Sequence, residues 1–450
     1  MENINALLGG LTPILLIASG LFLSARLGFF WLCHPIKTIR SILKKPKAGG
    51  VSPFRAVTLA LSGTLGVGNI AGVAGAIALG GFGAIFWMWV SALCAMALKY
   101  SEIVLAVSHR RWERGAPYGG ASYYIRDFFS SKNLPRLGTA VAAFFAAVCA
   151  VEVLSTGCGI QISASAEALE SGFGLPRVAV GIFAALLTLY AAGGGVDTVS
   201  RLTVVAIPIL SVGYILISAL LLIIKGSAIP AAFAAIFSDA FDTDSLFGGA
   251  LGFFSCRAVR FGAMRGLLSN EAGCGTAPFA HAGANTDDPA EQGIWGLFEV
   301  FFDTIVLCTV TALVIIASYG EVAQYAGEPI KMAIKAYACV LGRPAEIFLS
   351  VAVAAFGIAT VVCCAHYGRE CVRFLLNGRR GALFFGIWIA LYSAFAAVGA
   401  TLELRGLWAV SDLTLGLMTL INLPVLCALG GETVRLSRKN LVKNSSSKNP

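Results

Sequence analysis

Long apolar runs separated by short polar connectors fill nearly the whole chain. A helix needs about 20 apolar residues to cross the hydrocarbon core of a bilayer, whereas a barrel strand needs about 10 in strict alternation. These runs reach helix length and do not alternate, so they predict membrane helices. Eleven spans are expected, at about 8–32, 55–79, 83–108, 137–160, 176–193, 201–224, 245–282, 294–318, 345–368, 382–400 and 406–430. The seventh is too long for one straight helix and contains Gly248, Gly249, Gly252, Gly262 and Gly266. Residues 226–244 read as a loop with room for a short surface helix.

Residues 62–72 interrupt this pattern. Gly63, Gly66, Gly68 and Gly72 fall inside the second span, with Thr64 and Asn69 between them. Each glycine weakens a helix by about 1 kcal/mol relative to alanine, and backbone that unwinds in lipid must find polar partners. Secondary transporters hold a small solute and its coupling ion at such breaks. The competing reading is close helix packing on a glycine face. A second glycine-rich stretch lies five spans later. Five is odd, so the two stretches cross the membrane in opposite directions. The chain is therefore expected to form one transmembrane domain over 1–450: an extra helix at 8–32, inverted five-helix repeats at 55–224 and 245–430, and a tail at 431–450.

Composition agrees. The chain is 57% hydrophobic and 13% charged, where a soluble domain carries about 25% charge. Its mean hydropathy is +0.81. The net charge of +9 would fit nucleic-acid binding, but the basic residues cluster at span ends. Connectors on one side hold 22 Lys and Arg, those on the other side 6. That bias puts the N-terminus outside and the C-terminus in the cytoplasm of a multi-pass cell (inner) membrane protein. Most of the twelve cysteines sit within apolar runs as small hydrophobes, and no paired C-x-x-C metal spacing is present. The first run lacks a basic n-region and a cleavage site, so it reads as a retained helix. No G-x-x-x-x-G-K-[ST] marks a primary pump, and no Ser/His/Asp or metal constellation marks an enzyme. Residues 444–450 are polar and expected to be disordered.

Gly-Gly-Val-Ser-Pro-Phe-Arg-Ala (49–56) leads into Ala-Leu-Ser-Gly-Thr-Leu-Gly-Val-Gly-Asn-Ile-Ala-Gly-Val (60–73). With Gly-Ala-Ile-Phe-Trp-Met-Trp (83–89), Met-Arg-Gly-Leu-Leu-Ser-Asn-Glu-Ala-Gly-Cys-Gly-Thr-Ala-Pro (264–278), Phe-Phe-Asp-Thr-Ile-Val-Leu-Cys-Thr-Val-Thr (301–311) and the stretch from Trp408 to Leu423, the chain resembles the sodium:alanine/glycine symporter family over nearly its full length. The resemblance implies the leucine-transporter fold, in agreement with the repeat read above. It implies that Gly66, Val67 and Gly68 line the unwound segment, with the N–H groups of Val67 and Gly68 on a substrate carboxylate. The carbonyls of Ser62 and Leu65 and the hydroxyl of Thr360 would serve a common sodium site, with Thr64 and Asn69 near a second sodium or the substrate. Gln161 matches a family glutamine. On the facing helix Gly248, Gly249 and Gly252 mark the break, followed by Phe253 and Phe254. The chain departs from the family at Ala359, where a second hydroxyl is usual, and at Cys158, Ser163 and Cys364.

Charges within spans are functional candidates because each costs about 2.5–3.5 kcal/mol at mid-helix. Glu152, Arg257, Arg260, Arg265, Glu271, Glu299 and Asp303 qualify. The arginines and acids of spans 7 and 8 are expected to form a bracing salt-bridge network. Asp303-Thr304 offers oxygens near mid-depth, and Ser269-Asn270-Glu271 reads as an inner gate or helix cap. The expected function is sodium-coupled symport of a small neutral amino acid, alanine or glycine, into the cell. The alternative is a proton-coupled or sodium-weak transporter of another small amino acid or amine, with Glu152 or Asp303 carrying the proton. A receptor or channel is the third reading, and no signalling domain supports it. Partners are then the amino acid, the sodium ion and the lipid bilayer; neither a permanently bound cofactor nor nucleic acid is expected, and the protein should be a monomer. The charge bias makes a test: reporters fused to the two termini should report opposite sides of the membrane. Both on one side would mean an even number of spans.

Overall fold

The computed structural model describes residues 2–36, 38, 53–113, 116–241, 256–286, 288–376 and 381–446. The chain is mostly helical, and among the described residues seven helices are long and apolar enough to cross a bilayer. After α1 (Glu2–Arg26), the glycine-interrupted span forms two half-helices, α2 (Pro53–Thr64) and α3 (Ala71–Gly80). Between them Gly66 is extended, at φ −104° and ψ −154°, and Val67–Asn69 make one 3-10 turn. The alternation of small residues across 63–72 explains why the helix gives way here.

Helix α4 (Gly83–Ser108) is the central post and is buried along most of its length. A small hairpin of β1 (Arg111–Glu113) and β2 (Ala116–Tyr118) leads to α5 (Ala121–Ser131). Hairpin and helix are tied by Asp127, which accepts from Arg111 at 2.7 Å and lies 3.0 Å from His109 Nδ1. Burial pushes the Asp127 carboxyl up, but the bonds to His109 and Arg111 outweigh it and hold the group below its ordinary value. Neither hairpin nor α5 was expected from the sequence.

Two spans contain π-helical insertions. Helix α6 (Pro135–Leu154) passes through π-helical Ser155–Ile160 into α7 (Gln161–Phe173), so this span runs past its expected end at 160. Beyond α8 (Arg177–Ile224), α9 (Ile229–Ala240), α10 (Arg257–Asn270) and α11 (Ala277–His281), helix α12 (Pro289–Val300) passes through π-helical Phe301–Cys308 into α13 (Thr309–Ala317). The chain closes with α14 (Pro329–Leu341), α15 (Arg343–Leu375), α16 (Gly381–Gly399), α17 (Leu404–Ala428) and α18 (Gly430–Ser446). Helix α14 occupies what read as a connector. The stretch expected as one long seventh span instead ends α10 at Glu271, in the left-handed region at φ 52°, and restarts at α11. Gly248, Gly249, Gly252, Phe253 and Phe254 lie outside the described residues.

Spans five and six differ from expectation in their junction. Helical hydrogen bonding runs from Arg177 to Ile224 without a loop. A straight rod of 48 residues would reach about 72 Å, more than twice the hydrocarbon thickness. The contacts exclude a rod. Arg177 pairs with Glu170 at 2.6 Å, and Arg343 donates to the carbonyl of nearby Gly172. Gly213 packs on Phe348, five residues along from Arg343. The helix therefore turns back between Arg177 and Gly213, and its apolar halves are Arg177–Ala192 and Ile207–Ile224.

Helix α10 lies against α4 through small residues, as membrane helices do where backbones must approach closely. A Cβ on Gly262 would overlap the carbonyl of Ala84 and sit 2.9 Å from Trp87 Cβ; one on Gly266 would lie 2.7 Å from Ser91 Oγ. Gly262→Leu should lower the thermal midpoint in detergent, corresponding to a loss of about 1–3 kcal/mol or more, since backbone blocks the new side chain. Gly226→Leu, which meets open space, is the control and should leave the midpoint unchanged.

Candidate functional site

The break in α2–α3 frees backbone groups in the middle of the bundle, and four other elements meet it there. On one side, Gln161, the first residue after the π-helical insertion, accepts from the N–H of Val67 at 2.9 Å. Thr360 of α15 donates to the carbonyl of Ser62 at 2.9 Å and to that of Phe356 at 3.1 Å. Gly66 makes this approach possible: a Cβ there would lie 2.5 Å from Gln161 Oε1 and 2.9 Å from Thr360 Oγ1. Leu65 is buried beside them.

On the other side, the second π-helical insertion presents Asp303. Asn69 Nδ2 donates to Asp303 Oδ1 at 2.5 Å and to its carbonyl at 3.2 Å. Ser269 and Thr304 donate to Asp303 Oδ2 at 2.7 and 2.8 Å, and Asn270 reaches Thr304 at 3.1 Å. Asp303 is fully buried, and Asn69 Oδ1 is buried with no hydrogen-bond partner. Gly68 faces Ser269, whose Cα would lie 3.4 Å from a Cβ at that position. Hydroxyl, carboxylate and carboxamide groups thus gather at the Asp303 carboxylate, and their oxygens are a donor set suited to a hard cation.

The resemblance implies a common sodium site with a second sodium or the substrate nearby; the structure makes two polar clusters flanking the break. Ser62, Gly66, Val67, Gln161 and Thr360 form the first. Asn69 joins Ser269, Asn270, Asp303 and Thr304 in the second, away from Ser62. Thr64 joins neither: its hydroxyl is spent on the carbonyls of Ala60 and Leu61 in its own helix. Glu271 also turns away. It caps α10, and its carboxylate accepts from Thr276 at 2.7 Å. It lines a separate cavity with Glu152, Thr156, Tyr367 and Cys364. Gly252, Phe253 and Phe254 are outside the described residues.

The expected bracing network between spans 7 and 8 is replaced by other pairings. Arg257 donates to the carbonyl of Leu79 at 2.8 Å, Arg260 to that of Asn5 at 3.4 Å, and Arg265 pairs with Asp412 at 3.5 Å while stacking on Trp408. Glu299 turns instead to Lys99 at 3.3 Å and His281 at 2.7 Å. Lys99 also donates to the carbonyl of Asn270 at 2.9 Å, so it ties the end of α10 to α4 and α12. Nearby, Asn422 bridges Glu102, Gly273 and Tyr124 at 2.6–3.0 Å. This network holds the loop after Asn270, and with it Ser269 and Asn270. Lys99 and Glu102, three residues apart in an apolar helix, were a visible signal that the sequence reading passed over.

The chain matches the family described as the sodium:alanine symporter family over residues 1–450. It is 36% identical to the uncharacterized transporter YflA of Bacillus subtilis, covering 92% of this chain and 87% of that one. It is 34% identical to the sodium/alanine symporter AgcS of Methanococcus maripaludis, over 96% of each chain. It is 32% identical to the amino-acid carrier protein AlsT of Bacillus subtilis, over 92% and 86%. Among solved structures it resembles the Eremococcus coleocola manganese transporter bound to an aromatic bis-isothiourea compound, with a TM-score of 0.53 at 14% identity, covering 90% and 91%. At that identity the likeness is one of fold.

Gln161→Leu should strand the fully buried N–H of Val67, lowering stability by about 1–3 kcal/mol. Thermal unfolding in detergent checks this, with Gln161→Glu, which keeps an acceptor, as the milder variant. Equal midpoints for Gln161→Leu and wild type would mean that the break does not depend on this bond.

Proposed function

Because the chain belongs to the sodium:alanine symporter family, whose members are transporters and not enzymes, we propose that it carries alanine or glycine into the cell with sodium as the co-transported ion. It is a multi-pass membrane protein. The observation that carries the reading is the break at Gly66–Asn69 with an oxygen-rich cluster on either side. The carbonyls of Ser62 and Leu65 with the Thr360 hydroxyl hold one sodium. Asn69, Asp303, Ser269 and Thr304 hold a second cation, which the unpartnered Asn69 oxygen completes. The N–H groups of Val67 and Gly68 take the substrate carboxylate. In the present structure the carboxamide oxygen of Gln161 stands in that place, so Gln161 swings to the substrate when the N–H is released. Gly252, Phe253 and Phe254 close the site from the facing helix, Thr64 lies in its wall, and Asn270 with Glu271 gates the inner side. The scaffold is eleven spans: one added helix and two inverted five-helix repeats of the leucine-transporter type. The protein works as a monomer, with the N-terminus outside and the C-terminus in the cytoplasm. One sodium moving down 100 mV supplies about 2.3 kcal/mol, enough for a roughly fiftyfold substrate gradient.

The cavity between Glu152 and Glu271 favours a second reading. Two carboxylates share its wall with no basic side chain among the lining residues, and Ala359 thins the sodium site beside Thr360. On this reading a proton replaces sodium, and the substrate is another small amino acid or amine.

Uptake of labelled alanine and glycine into proteoliposomes separates the two. An imposed sodium gradient should drive uptake, and a proton gradient alone should not. Thr360→Ala should raise the sodium concentration for half-maximal uptake about tenfold or abolish uptake, since a lost oxygen ligand leaves desolvation uncompensated. Ala359→Ser should lower it. Uptake that ignores sodium, is driven by protons and is lost in Glu152→Gln would replace the first reading with the second.

A further inference from the structure

We propose that the cleft between the end of α1 and helix α18 binds the headgroup of an anionic phospholipid. The cleft has a volume of about 430 Å³ and is lined by Arg26, Gly431, Val434, Arg435 and Arg438. Its depth follows from the elements that build it. Arg26 is the last residue of the apolar span Leu7–Arg26, and α18 begins two residues after the apolar helix Leu404–Ala428 ends. Three guanidinium groups therefore gather at the level where two spans leave the hydrocarbon, which is headgroup depth.

Close packing creates the gathering. A Cβ on Gly430 would lie 2.9 Å from Leu23 and 3.6 Å from Arg26 Nη1, so its absence lets α18 lie against α1 with the arginines on the open side. The cleft is under-compensated. Glu432 lies 3.7 Å from Arg435 and 3.5 Å from His109. Among the described residues no carboxylate lies within ion-pair distance of Arg26 or Arg438. Planar guanidinium forks suit phosphate oxygens, which they bind bidentately, and basic pockets between membrane helices hold anionic headgroups.

An apolar strip separates a lipid from free phosphate. The Arg26 guanidinium stands 5.4 Å over the ring of Phe22, one turn back on α1. Phe22 and its neighbour Leu21 are 44% and 50% exposed. A headgroup in the cleft has its acyl chains running down this face; a free phosphate leaves it bare.

Native mass spectrometry of the purified full chain tests this, with phosphatidylglycerol, phosphatidylcholine and inorganic phosphate as probes. Phosphatidylglycerol should be retained at least about tenfold better than phosphatidylcholine, a difference worth about 1.4 kcal/mol. The pair Arg26→Gln with Arg438→Gln should erase the preference, and Phe22→Ser should weaken retention severalfold with all three arginines in place. The pair Arg26→Lys with Arg438→Lys should retain less lipid than wild type, because lysine is a point charge without the fork. Equal retention of both lipids by wild type, or wild-type retention in the glutamine pair or the lysine pair, overturns the proposal. Displacement of the lipid by sub-millimolar phosphate also overturns it, in favour of a soluble anion.

Discussion

A helix that unwinds inside a bilayer leaves backbone groups that no water can satisfy, and the rest of this structure is arranged around that demand. The N–H of Val67 is met by Gln161, the carbonyl of Ser62 by Thr360, and the segment's own Asn69 by Asp303. All three partners come from outside the broken helix. Two of them, Gln161 and Asp303, lie at π-helical insertions. An insertion of this kind rotates the side chains that follow it and is frequent at functional sites. The chain thus uses three departures from regular helix to build one centre: a break and two bulges that aim side chains at it.

The buried ionic network gives that centre its frame. Lys99 reaches both Glu299 and the last carbonyl of α10, and His281 flanks Glu299 on the other side. Buried ion pairs contribute little net stability, because desolvation offsets their attraction. Their value here is positional. Ser269 and Asn270 contact the Asp303 cluster from the end of α10, where the chain turns through Glu271 and the positive-φ residues Gly273 and Gly275. Such a turn has few ways to be held in an apolar bundle, and Lys99 and Asn422 supply them from α4 and α17.

Much was legible in the chain itself. Apolar runs of helix length at 57% hydrophobic composition admit only a helical membrane protein. The glycines at 63–72 located the break because propensity is local: glycine weakens a helix wherever it stands. The residues meeting at the centre were also named in advance, Gln161, Thr360, Asn69 and Asp303 among them, although they were grouped differently.

Tertiary structure decided which of them meet. Asn69 and Ser62 are one segment apart, yet they face opposite clusters, because the 3-10 turn at Val67–Asn69 rotates one relative to the other. Thr64 looked like a ligand by type and place, but an intact helical turn lets its hydroxyl bond back to Ala60. Glu299 sits four residues from Asp303 and was paired in the sequence reading with the arginines of α10. Its true partners, Lys99 and His281, are 200 residues and 18 residues away. Periodicity reports which residues favour helix, whereas the direction a helix takes, and the side chain that meets a freed backbone group, depend on packing between elements distant in the chain.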